Sequence, residues 1–140
     1  MSFEFLNGLN WLAVIVAAVA WFAFGALWYA PPVMGKAWAQ ASGIEIPEDQ
    51  KPNPAIFLFT LVAYFIASVV TAVIAAASGT DTIGEGLALG LMLGVGYAVT
   101  AAMVSAVYEM KPKPTAYIVV NGVYNLIGLT IVSVIVALWR

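Results

Sequence analysis

Four uninterrupted apolar stretches dominate this chain, and each is long enough to cross a lipid bilayer as a helix. The hydrocarbon core of a bilayer is about 30 Å thick, which requires roughly 20 helical residues. The stretches cover residues 10–30, 55–77, 84–108 and 116–139, approximately, and Glu85 is the one charged residue within them. Their continuous hydrophobicity argues against a membrane β-barrel, whose strands alternate. The sequence therefore predicts an all-α fold, a four-helix transmembrane bundle that forms one domain over residues 1–140.

Composition favours a lipid environment for this bundle. Apolar residues make up 64% of the chain and charged residues 9%, whereas soluble domains are about 45–50% apolar and about 25% charged. A soluble chain of this size could not bury so much apolar surface. Five basic residues are too few to indicate a nucleic-acid partner. Because residues 1–9 lack Lys and Arg, we expect the first stretch to be a spanning helix rather than a cleaved signal.

Aromatic residues near the ends of the spans mark the expected membrane surfaces. Trp11 and Trp28 lie 17 residues apart, about 25 Å along a helix. That distance matches the separation of the two aromatic belts of a bilayer. Tyr117 and Trp139 bracket the fourth span in the same way. The predicted interfacial anchors are Trp11, Trp28, Tyr29, Trp38, Tyr117 and Trp139.

The segment after the first span predicts a short helix lying in the membrane interface. Residues 30–32 read Ala-Pro-Pro, and a residue before proline avoids the α region, so the first helix should end there. Apolar residues then fall on one helical face at three- and four-residue steps: Met34, Ala37, Trp38 and Ala41. A ligand-contacting role for Trp28 or Trp38 is the alternative interpretation.

Three motifs in the chain resemble one family of membrane proteins. They are "NW" at residues 10–11, "GALWYAPPVMGKAW" at residues 25–38 and "NGVYN" at residues 121–125. Together they are similar to the bacterial membrane proteins grouped as domain of unknown function 1761, over essentially the whole chain. That family usually has Ser-Pro after the Trp-Tyr pair, where this chain has Ala30 and Pro31. The resemblance implies a small four-helix integral membrane protein and supplies no known activity.

The third span carries a row of glycines at four-residue steps: Gly86, Gly90 and Gly94. In lipid, small residues allow two backbones to approach closely, and this approach supplies much of the packing between helices. We therefore expect the glycine row to receive another helix, either from the same chain or from a second subunit. A pore-lining or ligand-approach role is the alternative.

The fourth span carries the most polar face. Asn121 and Asn125 lie one turn apart with Tyr124 beside them, and a buried amide is costly without a hydrogen-bond partner. We expect partners on the second and third spans: Tyr64, Ser68, Thr71, Tyr97 and Thr100. Two interpretations remain open. One is an interhelical hydrogen-bond network; the other is a polar cavity lined by Asn121, Asn125, Tyr124, Tyr97 and Tyr64.

The chain lacks the residues of common catalytic and metal sites. It contains no Cys and no His, and its hydroxyl residues have no recognisable base beside them. The acidic residues at 45–49 lie in a loop without further ligands, which is typical of a solvated run. We therefore expect no enzymatic activity, no cofactor and no metal. Glu109 should form an interfacial ion pair with a nearby lysine, Lys111 or Lys113.

Two functions remain open at this point. The favoured one is a self-associating structural or accessory membrane subunit, with the lipid bilayer and either further copies or a larger membrane complex as its partners. The alternative is a small channel or facilitator for a neutral or anionic solute, because amides and aromatic edges can line such a path. A first span without acidic residues argues against proton antiport of the small-multidrug type. A dry core would favour the subunit, and a wet cavity at the asparagines would favour the channel.

The few basic residues predict an orientation. The loops at 31–54 and 109–115 hold four lysines, whereas the opposite side holds Arg140 alone. Basic residues near span ends remain in the cytoplasm. We therefore expect a bacterial inner-membrane protein with both termini outside the cytoplasm, and dual insertion is the alternative.

Overall fold

The computed structural model describes residues 3–47, 49 and 51–139. All regular secondary structure in this part of the chain is helical, which confirms the all-α prediction. Four of the helices are long and apolar enough to cross a membrane, and each lies within two residues of its predicted bounds. We number these long helices from first to fourth in chain order: Trp11–Trp28, Pro54–Ser78, Ile83–Tyr108 and Pro114–Leu138.

Shorter helical segments accompany the long helices. A 3₁₀ turn occupies Phe3–Gly8, and a π-helical turn at Pro31–Gly35 leads into a short helix at Lys36–Ser42. A second π-helical turn, Gly94–Val99, lies inside the third long helix without ending it. The short helix expected after the first span is therefore present, and its location in a membrane interface stays a prediction.

Local sequence signals explain where several helices begin and end. The Asn10 side chain accepts a hydrogen bond from the Ala13 N–H at 3.1 Å. Thr82 and Glu85 form a capping box, in which Thr82 Oγ1 accepts from the Glu85 N–H and Glu85 Oε2 accepts from the Thr82 N–H, both at 3.2 Å. The Glu85 carboxylate thus accepts hydrogen bonds from backbone N–H groups at the start of the third helix that would otherwise have no partner. Gly79 ends the second helix with a φ of +72°, which favours glycine.

The fourth long helix lies at the centre of the bundle. The first, second and fourth helices pack against one another, whereas the third helix and the short helix Lys36–Ser42 pack mainly on the fourth. The first, second and fourth helices share one buried apolar cluster: Val14, Ala17, Trp21, Ala72, Ala75, Tyr124, Val132 and Val136. The first, second and fourth helices therefore form a three-helix core, and the third helix is attached to one side of it, on the fourth helix.

The glycine row of the third helix lies against the fourth helix of the same chain. A Cβ at Gly86 would lie 2.9 Å from the Cα of Val134, and Cβ atoms at the next two glycines would overlap Thr130 and Leu126. As the glycine number rises by four, the partner number falls by four, which defines an antiparallel register. The sequence left open whether the helix packed on the glycine row belongs to the same chain or to a second subunit. In the structure it is the fourth helix of the same chain.

Large apolar side chains cover the outside of the bundle. Leu27, Phe59, Met92 and Val119 on the four long helices are each more than half exposed. A helix that is apolar on its outer face as well as its inner face is expected in lipid rather than in water. The exposed surface and the four long helices are compatible with a membrane protein.

Candidate functional site

The interior of the three-helix core is filled by aromatic rings from three helices. Trp21 of the first helix stacks on Tyr64 of the second, with ring centroids 4.3 Å apart. The Tyr64 hydroxyl lies 2.6 Å from the hydroxyl of Tyr124 on the fourth helix. Trp21 and Tyr124 are 4% and 2% exposed. We call Trp21, Tyr64 and Tyr124 the aromatic core.

Two glycines make room for the aromatic core in a reciprocal way. A Cβ at Gly25 would lie 2.5 Å from the Tyr124 hydroxyl, and a Cβ at Gly128 would overlap the Trp21 indole. Each helix therefore carries an aromatic residue and, four positions later, the glycine that receives the aromatic residue of its partner. The pairs Trp21–Gly25 and Tyr124–Gly128 form an antiparallel aromatic–glycine lock between the first and fourth helices.

The Trp-Tyr pair at the end of the first helix continues the same register. Trp28 Nε1 donates to the Val120 carbonyl at 3.2 Å, and the Tyr29 hydroxyl donates to Asn121 Oδ1 at 2.8 Å. The Tyr29 ring also lies edge-on to the Tyr124 ring, 4.8 Å between centroids. The two most specific motifs of the sequence, at residues 25–38 and 121–125, therefore contact each other directly.

Both asparagine amides of the fourth helix have hydrogen-bond partners within the chain. Asn121 Nδ2 donates to the Tyr117 carbonyl at 3.1 Å, and Asn125 Nδ2 donates to the Asn121 carbonyl at 2.9 Å. The side-chain partner of Asn121 is Tyr29, so the expectation of partners on the second and third helices was wrong for this amide.

Tyr97 is the candidate polar residue that the structure separates from the others. It is 74% exposed, on the third helix. The glycine row occupies the face of that helix that meets the fourth, and Tyr97 lies outside this face. Placing Tyr97 in one cavity with Tyr64 and Tyr124 is therefore wrong for the single chain.

The predicted interfacial anchors divide into two groups. Trp11 and Trp139, at the ends of their helices, are 45% and 43% exposed, and the Trp11 ring stacks on Phe65 of the second helix with centroids 6.5 Å apart. The other four are half-buried. Trp28 and Tyr29 bind the fourth helix, Trp38 lies edge-on to Tyr29 at 5.8 Å, and the Tyr117 hydroxyl lies 3.1 Å from that of Ser105. Their depth in a bilayer stays a prediction.

A second polar group lies at the end of the third helix. Lys111 Nζ lies 2.8 Å from Glu109 Oε2, which confirms the predicted ion pair. The Ser105 hydroxyl donates to the other Glu109 oxygen, and Lys111 lies over the Tyr117 ring at 5.0 Å. The Lys111 hydrogen bond, followed by that from Ser105, lowers the pKa of the Glu109 carboxyl. We call Ser105, Glu109, Lys111 and Tyr117 the Glu109 cluster.

Three buried hydroxyls, those of Ser42, Ser68 and Ser133, have no hydrogen-bond partner among the described residues, and neither has the Trp21 indole N–H. Ser68 on the second helix and Ser133 on the fourth are both fully buried. The core is therefore not completely hydrogen-bonded among the described residues. Within the same part of the chain, no group of three or more acidic residues is close enough to hold a metal ion.

Reasoning from the sequence missed the packing roles of Trp21, Gly25 and Gly128, although Gly25 opens the motif at residues 25–38. The signal was available as the repeated aromatic-x-x-x-Gly spacing, which occurs at Trp21–Gly25 and again at Tyr124–Gly128. A glycine one turn after a large ring leaves a notch beside that ring, into which a partner ring can fit. One such pair is uninformative, but two on helices that run in opposite directions predict a reciprocal contact.

Fold and site together define a helical bundle with four helices of membrane-spanning length and a core closed by an aromatic–glycine lock. The sequence model of the family described as "Protein of unknown function (DUF1761)" matches residues 12–137. The chain therefore belongs to this family, as the motifs at its first and fourth helices predicted. No curated protein and no solved structure is significantly similar to it.

Proposed function

We propose that this protein is an integral membrane subunit that acts by associating with further copies of itself or with a larger membrane complex, without catalytic activity. The observation that carries the proposal is the filled aromatic core. Trp21, Tyr64 and Tyr124 occupy the space between the first, second and fourth helices, where a permeation path through one chain would have to run. The Asn121 and Asn125 amides, which would line such a path, are bound to groups of the same chain.

The third helix supplies the surface for association. It packs mainly on the fourth helix, through the glycine row. On the side away from that row, Gly84 and Gly96 face open space, since a Cβ on either would meet nothing within 4 Å. Small residues that no helix of the same chain covers allow a helix of another subunit to approach closely in lipid.

The test is the number of subunits in a bilayer. We expect single-molecule photobleaching of the labelled protein in vesicles to show more than one copy per complex. Gly96→Leu should lower that number because it adds a side chain at the surface of association. Ala63→Leu, on an exposed position of the second helix, is the matched control. A monomeric wild-type protein, copurifying with no other membrane protein, would contradict the proposal, as would an unchanged subunit number in Gly96→Leu with no such partner.

The channel alternative has its own readout. The protein is reconstituted into vesicles loaded with a neutral or anionic solute. If the chain contains no permeation path, the solute flux should not exceed that of protein-free vesicles loaded with the same solute. If flux is present, and changing both Asn121 and Asn125 to Leu abolishes it while the protein stays folded, the channel replaces the subunit as the best function.

We also propose that the protein lies in a bacterial inner membrane with both termini outside the cytoplasm. The segments that hold the lysines meet at one end of the bundle, where Lys113 Nζ lies 3.4 Å from Gln40 Oε1 and Gly43 packs against Pro112. Basic residues on one side favour that side as cytoplasmic. Arg140, the one basic residue expected opposite them, lies outside the described residues. A reporter that is active only in the cytoplasm, fused after Arg140, should be inactive; full activity would reverse the orientation, and activity in both compartments would indicate dual insertion.

A further inference from the structure

A shallow groove runs along the exposed side of the third helix and ends at the Glu109 cluster. Its volume is about 610 Å³, and it is lined at three- and four-residue steps from Tyr97 to Glu109. Twelve residues separate these two ends, which is about 18 Å along a helix. The hydrocarbon of one leaflet is about 15 Å thick, half of the bilayer core. The groove therefore has the length of one lipid leaflet.

The groove has an apolar middle and a charged end at Glu109. Val104 and Ala101 line its middle with apolar side chains, which suit an acyl chain. The other part of the lining lies at the end of the helix: Tyr108, its last residue, is 83% exposed, and Glu109 follows directly as the C-cap. A lipid in this groove would thus place its tail along the helix and its head group at Glu109.

The polar end presents a carboxylate rather than an ammonium group. The Glu109 side chain is 55% exposed, whereas the Lys111 side chain is 15% exposed, because its ammonium lies between Glu109 and the Tyr117 ring. Each Glu109 oxygen already receives one hydrogen bond, from Ser105 or from Lys111. A carboxylate offers about four lone-pair sites in all, so it can accept further hydrogen bonds from a head group.

We propose that this groove binds a phospholipid whose head group ends in a primary ammonium, as in phosphatidylethanolamine. The ammonium donates to the Glu109 carboxylate and lies against the Tyr108 ring, which attracts cations. A choline head group is also cationic but has no N–H to donate, and a glycerol head group carries no cation. The inference goes beyond the proposed function and rests only on its membrane location.

The test compares three phospholipids with identical acyl chains and ethanolamine, choline or glycerol head groups. The full-length protein is equilibrated with an equimolar mixture in micelles, and bound lipids are counted by native mass spectrometry. We expect the ethanolamine lipid to be enriched about two- to fivefold over the choline lipid, the range of one exposed ion pair. Glu109→Gln should abolish the enrichment, whereas Glu45→Gln, which removes an exposed loop charge, should retain it.

Two further variants separate the head-group contact from the rest of the groove. Lys111→Gln should raise the enrichment, because the lysine ammonium competes for the same carboxylate. Ala101→Phe fills the middle of the groove and should abolish the enrichment with Glu109 unchanged. Equal binding of the three lipids would overturn the proposal. Preference for the glycerol lipid that survives Glu109→Gln would also overturn it, since Lys111 would then be the contact.

Flotation with vesicles distinguishes this inference from the proposed function. A protein that floats with vesicles but shows no head-group preference refutes the lipid inference alone. A folded protein that does not float with vesicles of any of the three lipids refutes the membrane location and, with it, both proposals.

Discussion

Gly25→Ala is the most informative single substitution in the aromatic–glycine lock, because a single atom, the Tyr124 hydroxyl oxygen, is the main obstacle to the added Cβ. The added Cβ would lie 2.5 Å from the Tyr124 hydroxyl oxygen and 3.2 Å from Tyr124 Cζ. Tyr124 is almost fully buried, so its ring has little room to move. Overpacking of this kind costs about 1–3 kcal/mol. Displacing the hydroxyl from Tyr64 adds the loss of a hydrogen bond, about 0.6 kcal/mol in a membrane. Gly25 lies inside the helix, where alanine is favoured over glycine by about 1 kcal/mol. We therefore expect Gly25→Ala to lower the free energy of unfolding by about 1–3 kcal/mol in net terms.

A second substitution identifies the atom responsible. Tyr124→Phe removes the hydroxyl oxygen and leaves Cζ as the nearest atom, at 3.2 Å. Alone, it should cost about 0.6 kcal/mol, for the hydrogen bond to Tyr64. Together with Gly25→Ala, it should relieve most of the overlap, so the double variant should be more stable than Gly25→Ala alone. Neighbouring residues that share a contact show this kind of non-additivity.

Equilibrium unfolding in mixed micelles, followed by tryptophan fluorescence, gives the four free energies of this cycle. Gly8→Ala is the control, because a Cβ there meets nothing within 4 Å and Gly8 lies outside the proposed surface of association. The control should therefore be as stable as the wild type or more so. Additive effects of Gly25→Ala and Tyr124→Phe would refute the lock as described, since the hydroxyl would then not be the obstructing atom.

Three further predictions concern other contacts of the fourth helix. Gly90→Leu should destabilise the protein by about 3 kcal/mol in the same unfolding assay, because even its Cβ would overlap the Thr130 backbone; the exposed Ala88→Leu should not, and equal effects would mean that the glycine row is not packed. Tyr29→Phe should cost about 0.6–1.7 kcal/mol for its lost hydrogen bond to Asn121, and an unchanged stability would show that this bond is not formed. Ser133→Ala should stabilise the protein by about 1 kcal/mol, since it removes a buried hydroxyl without a partner; a loss of stability would reveal a partner for that hydroxyl.

The number and bounds of the helices could be predicted because their causes are local. Twenty or more apolar residues in sequence form a helix of spanning length regardless of what lies beside it. Residues 30–32 stop the first helix through the steric effect of proline on its own neighbour, and Gly43 and Gly79 end two others with φ near +72°. The pairing of Glu109 with a lysine two residues away was predictable for the same reason.

The candidate site was predictable in its residue types but not in its contacts. Asn121, Tyr64 and Tyr124 were recognised as polar groups that need partners, yet the partner of Asn121 proved to be Tyr29, 92 residues away and assigned from the sequence only to the interface. Tyr97 has the same chemistry as Tyr64 but is exposed on the third helix rather than packed in the aromatic core.

What the sequence determined by itself was the family, the all-helical fold and the positions of its four long helices. Only the tertiary structure decided which face of each helix points inward. In a soluble protein, the inward face of a surface helix can be recognised as an apolar stripe on an otherwise polar helix. A membrane-spanning helix is apolar on all sides, so its sequence carries no such stripe. The inward face is chosen by shape instead. Gly25 and Gly128 leave notches that match Tyr124 and Trp21, and such a match exists only when both helices are present.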